Sequence, residues 1–207
     1  MNTLGMLASE RRELVNFLQT LTPEEWQAPS LCEKWRVRDV VAHLLYDAIP
    51  LCQYMFAAVR NGPGVDRLNN HLVDTERSTS PSTLLTRFAS IENGTLSRLS
   101  PRTALADMLV HHQDIRRPLG RDRTIEPDRL RFVLNHPDPF AFTRRYTRGL
   151  RFEATDLTWS KGNGPEIRGT GEALALAATG RRVVLDELEG DGVAVLRNRL
   201  GSSWADA

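Results

Sequence analysis

Two cysteines, Cys32 and Cys52, are all that this 207-residue chain contains. That is too few for the disulfide framework of a small secreted domain, and neither has a second cysteine at metal-binding spacing. A reducing, cytoplasmic setting is the expectation. Charge of one sign is lacking as well: 27 Lys and Arg against 26 Asp and Glu leave a formal net charge of +1, so no global field draws the chain to nucleic acid or to an anionic membrane. No apolar run approaches the roughly 20 residues that span a bilayer. The opening residues meet charge by position 10 and have no basic flank before an apolar run, which is not the pattern of a signal peptide. Lysine is nearly absent, with Lys34 and Lys161 alone; this reads as coding bias and is given no chemical weight. Small neutral or locally charged partners remain the expectation.

What is present is helical punctuation. With 41% hydrophobic residues the chain can build one sizeable core, or a main domain and a small second one. Leu4, Leu7, Leu14, Phe17 and Leu18 recur at helical spacing over residues 3–20. Thr22, Pro23, Glu24 and Glu25 have the form of a capping box with proline at the first helical position, which predicts a short helix carrying Trp26. The stretch from Ala28 to Trp35 cannot continue it. From Val37 an apolar stripe of Val40, Val41, Leu44, Leu45 and Ala48 predicts a second long helix that runs on, kinked at Pro50, to about Val59. The Asn61 to Gly64 run is a break, and residues 66–79 read equally as loop or exposed helix. Ser80 and Pro81 open a helix carrying Leu84, Leu85, Phe88, Ile91 and Leu99, and Ser100 and Pro101 open another that runs to about Arg117. Four helices with such connections predict a bundle over residues 1–125.

Beyond Pro127 the texture changes. Residues 150–159 alternate at period two, as a half-buried strand does. Residues 161–165 are turn chemistry, with Glu166 to Arg168 as a possible hairpin arm, and Glu172 to Thr179 reads as a helix stopped by Gly180. A last helix should follow Gly192. Residues 126–207 are therefore expected to be a small α+β domain, and the fold class mainly α.

The chemistry concentrates on two helices. At about 100° per residue, Asp107, His111 and Asp114 share one face of the fourth helix, away from Leu105, Met108 and Leu109. His43 lies off the apolar stripe of the second. Facing helices would bring His43 toward Asp107 and His111, and two histidines with one carboxylate leave a fourth position open, the ligand count of a catalytic zinc site. The competing reading is of solvated histidines in ordinary i, i+4 charge pairs. His112 falls on the apolar side and is expected to be a packed, hydrogen-bonded histidine. Trp26 and Trp35 are expected to close one end of the bundle rather than stack on a substrate. Cys32 has no identifiable base, so an inert side chain is the simpler reading. Arg116 and Arg117 favour the macrodipole of the helix C-terminus whatever else they do, with a substrate carboxylate as the alternative partner. The arginines at 144, 145, 148 and 151 read as solvated surface.

The run from Trp26 to Leu44, WQAPSLCEKWRVRDVVAHL, resembles the opening motif of the mycothiol-dependent maleylpyruvate isomerase family, within the DinB-like superfamily. The family's second motif, an acid four residues before a histidine, is matched by residues 107–117, DMLVHHQDIRR. Residues 149–159 and the stretch from Gly171 to Arg182 look like the small C-terminal domain that many members carry. The resemblance implies a DinB-like four-helix bundle binding a divalent metal, usually zinc, through His43, Asp107 and His111. The family position is commonly Glu, and Asp107 is one methylene shorter. It also implies a low-molecular-weight thiol such as mycothiol as cofactor, with thiol transfer to an electrophilic small molecule, or its cis-trans isomerisation, as the reaction. Arg116 or Arg117 would then orient an acidic substrate. Two alternatives stay open: a hydrolase in which the metal activates water with Asp114 as general base, and a non-catalytic metal-binding or stress-response bundle.

Overall fold

The computed structural model describes residues 2–62, 64–92, 94–141 and 143–202; Pro63, within the expected Asn61 to Gly64 break, lies outside them. The chain divides into two compact units, Met1–Asp122 and Arg123–Ala207. Among the described residues no helix is long and apolar enough to cross a membrane.

The first unit contains α1 (Thr3–Leu18), α2 (Pro23–Gln27), α3 (Val37–Leu44), α4 (Leu51–Asn61), α5 (Val65–Thr75), α6 (Pro81–Ala89), α7 (Thr95–Leu99) and α8 (Pro101–Arg116). Four of these form the bundle: α1 packs on α8 and α6, and α3 packs on the same two from the other side. The expected capping box is present, since the Thr22 hydroxyl accepts from the Glu25 amide and the Glu25 carboxylate from the Thr22 amide. It satisfies two N–H groups that the first turn of a helix otherwise leaves unpaired. The core is mostly aliphatic, with Leu7, Leu14 and Leu18 of α1, Val40, Val41 and Leu44 of α3, Leu84 and the aromatic Phe88 of α6, and Leu105, Met108, Leu109 and Ile115 of α8 all buried.

Two boundaries differ from the sequence expectation. The second long helix does not run through a kink at Pro50: α3 ends at Leu44, tightens into a 3-10 turn over Leu45–Ala48, and α4 begins afresh at Leu51. Proline has no N–H to give the ladder and pushes the residue before it into extended backbone, as Ile49 shows with ψ 131°. The helix opened by Pro81 stops at Ala89, and Leu99 belongs to the separate short α7. The undecided stretch after Gly64 is helix α5, amphipathic, with Leu68, Leu72 and Val73 inward.

α8 is buried almost all round, from Ala104 to Ile115 with only Asp107 partly open. A helix in that position must give each of its polar side chains a partner inside the protein, because an unpaired buried polar group costs about 1–3 kcal/mol. The solvated reading of its histidines is therefore excluded by burial.

The second unit contains α9 (Pro127–Asn135), α10 (Thr143–Thr147), β1 (Arg151–Ala154), β2 (Ser160–Gly162), β3 (Glu166–Gly169), α11 (Gly171–Ala178) and α12 (Gly192–Ser202). The sheet order is β2-β1-β3. β2 pairs antiparallel with β1, whereas β3 pairs parallel with it, Phe152 opposite Ile167. The anticipated strand is thus shorter than residues 150–159, residues 161 and 162, expected in the turn, belong to β2, and β3 pairs with β1 in parallel and is not a hairpin arm. The alternation breaks after Ala154 because residues 155–158 bend, and Asp156 there caps the amide of Gly171. α11 packs against β1 and β3 with Ala173, Leu174 and Ala177 buried. Its expected stop is Gly180, at φ 97°, a left-handed value that costs glycine least. The fold class is as read from sequence: mainly α, with a small α+β part.

Candidate metal centre

α3 and α8 pack side by side in the first unit, and this contact joins the two sequence motifs. His43 sits one residue before the end of α3, and Asp107 and His111 lie one turn apart on α8. Asp107 Oδ1 is 3.7 Å from His43 Nε2 and 3.2 Å from His111 Nε2. One donor atom from each residue lies within 4.8 Å of the others. Ligands held at about 2.0–2.2 Å by a tetrahedral cation stand roughly 3.3–3.6 Å apart, and the two distances from Asp107 lie close to that range.

Polar atoms of this set are also short of partners, though at His43 it is the nitrogen away from Asp107. His43 Nδ1 and Asp107 Oδ2 are buried with no hydrogen bond in the structure. The charges are compressed. Burial alone would raise the Asp107 carboxyl, but the two histidines, His111 first, hold it far below the usual carboxylate range. Burial lowers His43, against the pull of Asp107. His111 is also desolvated, yet Asp107, Cys32 and Asp114 raise it well above its ordinary value. A proton shared between an imidazole and a carboxylate in a dry site is what a divalent cation would displace.

A second donor set, Cys32, His111 and Asp114, is equally compact but of another character. Asp114 Oδ2 is 2.9 Å from His111 Nδ1, and the Cys32 thiol donates to the same oxygen at 3.1 Å. These atoms already satisfy one another as hydrogen bonds, whereas in the first set the second oxygen of Asp107, Oδ2, is buried without a partner. The cation therefore fits the first set, with Asp114 at the outer edge of the His111 ring.

Residues 7–99 match the family model of the mycothiol maleylpyruvate isomerase N-terminal domain. The resemblance read from the sequence therefore stands. The matched stretch contains His43 and ends before Asp107 and His111. No curated protein matches the chain significantly. Two solved structures share the fold over 91% of each chain: a histidine-to-alanine mutant of the mycothiol-dependent maleylpyruvate isomerase, at 15% identity and TM-score 0.63, and the mycothiol-dependent maleylpyruvate isomerase itself, at 13% identity and TM-score 0.55.

Of the other residues singled out from sequence, Asp114 is fully buried and faces Nδ1 of His111 rather than the converging Nε2 atoms. Arg116 is committed to the opposite side of α8: its Nε donates to His112 Nε2 at 2.8 Å, one Nη donates to the Arg121 carbonyl, and the guanidinium stacks 3.8 Å from the Phe17 ring centroid. Arg117 begins the 3-10 turn after α8 and is half-buried. The structure brings neither arginine into the hydrogen bonds or ion pairs described for the triad. His112 is packed and hydrogen-bonded, as its wheel position implied.

Two site residues were missed. Trp35, expected only to close the bundle, lies half-buried with its ring 5.2 Å from His43 and 6.4 Å from His111, and its indole N–H donates to Asn70 Oδ1 of α5. Tyr46 lies 5.5 Å from the His43 ring. Burial first, then the nearby charges of Asp107 and Asp47, push its phenol well above the ordinary value. The signal for Tyr46 was its place three residues after His43, on the same helical face.

Proposed function

We propose that this chain is a divalent-metal-dependent enzyme, with zinc the expected ion, that uses mycothiol or a related low-molecular-weight thiol. It would transfer the thiol to an electrophilic small molecule, or isomerise that molecule about a cis double bond. The observation that carries this reading is the convergence of His43, Asp107 and His111, with Asp107 Oδ2 buried and unpartnered, beside a stretch, residues 7–99, that matches the family's N-terminal model. The setting is cytoplasmic, and neither nucleic acid nor membrane enters the reading.

When bound, the cation would supply an open position where a thiol is held as thiolate near neutral pH. The residues of the chain do the rest. His43 and His111 offer neutral nitrogens and Asp107 one negative charge; the short Asp side chain is accommodated because α3 and α8 are in direct contact. Trp35 covers one side of the two histidine rings and excludes water there. The Tyr46 phenol keeps its proton and is a hydrogen-bond donor at the rim. An acidic substrate would need a cationic partner, and Arg117 remains the candidate among the two arginines, since Arg116 is tied to His112 and Phe17. The hydrolytic alternative with Asp114 as base is not favoured, because that carboxylate accepts from His111 and Cys32 on the far side of the imidazole.

The test is metal content by mass spectrometry on purified wild type, His43→Ala and His111→Ala. Near one zinc per chain, lost in both variants, followed by thiol-dependent turnover of unsaturated acids, is the expected result. No metal in wild type after reconstitution overturns the catalytic reading and leaves the non-catalytic bundle.

A further inference from the structure

The outer edge of His111 is built as carefully as its inner edge. Asp114 has no exposed surface, and its Oδ2 lies at hydrogen-bond distance, 2.9 Å, from His111 Nδ1. The Cys32 thiol reaches the same oxygen at 3.1 Å and lies 3.5 Å from Nδ1. The loop that carries Cys32 is pinned in place, for the Leu31 amide donates to the Asp114 carbonyl at 3.0 Å and the Cys32 amide to the Ser30 hydroxyl at 3.1 Å. Imidazole has two nitrogens, and a carboxylate that accepts from one leaves the other with its lone pair exposed.

We propose that Asp114 is a positioning residue that acts through His111: its carboxylate holds the Nδ1–H tautomer and the ring angle, so that Nε2 presents its lone pair beside Asp107, while Cys32 holds the carboxylate. This rests on the metal reading above and adds to it two supporting residues drawn from two parts of the chain, Cys32 in the loop before α3 and Asp114 in the last turn of α8. It reassigns Asp114 from a candidate base to the group that sets ligand orientation, and gives Cys32 a hydrogen-bonding part rather than a nucleophilic one. Removing such an outer partner typically weakens metal binding 10- to 100-fold.

The test measures zinc affinity by chelator competition for wild type, Asp114→Ala, Asp114→Asn and Cys32→Ala, with thermal denaturation of each metal-free protein as the folding control. The expected result is a 10- to 100-fold loss for Asp114→Ala. Asp114→Asn, whose amide oxygen can still accept from Nδ1–H, should recover most of it, and Cys32→Ala should lose only a few-fold. Nitrogen-15 NMR of the histidine rings supplies a readout that a purely structural role would not move: His111 in the zinc-loaded wild type should show a protonated Nδ1, with that signal perturbed in Asp114→Ala. If Asp114→Ala does not fold, the Asn and Cys32 variants carry the comparison. Equal zinc affinity in wild type and in every folded variant, or a His111 protonated on Nε2, overturns the inference. Absence of zinc binding in wild type overturns the metal reading itself, which is a different failure.

Discussion

Replacing Asp47 by alanine should strongly destabilise the first unit, although Asp47 is not a candidate ligand. Its carboxylate lies in the 3-10 turn between α3 and α4 and receives three donors: Arg11 Nη2 of α1 at 2.9 Å, the Ser97 amide of α7 at 2.8 Å, and the Ser97 hydroxyl. The Arg11 and Asp47 side chains are 6% and 1% exposed. Removing one partner of a buried ion pair costs about 3–5 kcal/mol, because the remaining charge stays dry and uncompensated. Arg11 keeps its bonds to the Ile91 and Glu92 carbonyls, which places the cost nearer 3. For a unit of about 122 residues, 1 kcal/mol corresponds to roughly 4 °C in Tm, so the expected drop is about 12 °C or more. The assay is thermal denaturation followed by circular dichroism. The paired variant Arg11→Met with Asp47→Leu should be less damaging than the single change, since it removes both charges. A drop below about 4 °C, about 1 kcal/mol, for Asp47→Ala would refute the assignment of this pair as the buried tie between α1, α7 and the turn.

Gly94→Ala should act at the same place, because an added Cβ would overlap the Asp47 carbonyl and carboxylate; a loss of about 3 kcal/mol in urea denaturation is expected, and wild-type stability would count against the close approach. Burial raises the Glu76 carboxyl, but Arg87 and Thr79 outweigh it and leave the folded value below 4.5, so its contribution is present above pH 4.5 and lost as pH falls through the folded value. Glu76→Gln should therefore cost about 0.5–1 kcal/mol at pH 7, and the gap from wild type in urea midpoints should close in acid. Zinc at about 100 times its dissociation constant should add about 2.7 kcal/mol to the stability of the first unit, near 10 °C by the conversion above, and a scan of His43→Ala with and without zinc should show no such shift.

Much of the helical half was legible because its punctuation is chemical. The capping box at Thr22, the prolines at 81 and 101, and the apolar stripe of α3 each fix a helix start or a buried face by a local rule. Where local rules compete, the reading failed. Pro50 was read as a kink, but with Ile49 extended before it the chain restarts instead. The alternation of residues 150–159 was real only to Ala154, and the parallel pairing of β3 depends on partners that periodicity does not encode. In the site, helical spacing alone placed Asp107 and His111 on one face, and the facing helix supplied His43. The surroundings of Trp35 and Cys32 escaped because both lie on the loop before α3, whose path depends on tertiary hydrogen bonds: the Ser30 amide to the Trp35 carbonyl and the Leu31 amide to the Asp114 carbonyl. No periodicity describes such a loop.

The adjacent histidines of α8 show how one helix separates a structural role from the role proposed for metal binding. Arg116 keeps its protons under all ordinary conditions, so His112 Nε2 must accept from it, and the Nδ1 proton goes to Glu10 Oε1 at 2.7 Å. Glu10 and His112 are both fully buried, and the relay fastens α1 to α8. On the proposal above, His111 holds the same tautomer, its Nδ1 proton directed to Asp114. The difference lies at Nε2. In His112 that lone pair is filled by a guanidinium of the same chain, while in His111 it points at His43 and Asp107, where the protein supplies no permanent cation among the described residues. On that proposal the two neighbouring imidazoles share one arrangement, a carboxylate on Nδ1 and a positive charge facing Nε2, which Arg116 supplies to His112 and a bound cation would supply to His111.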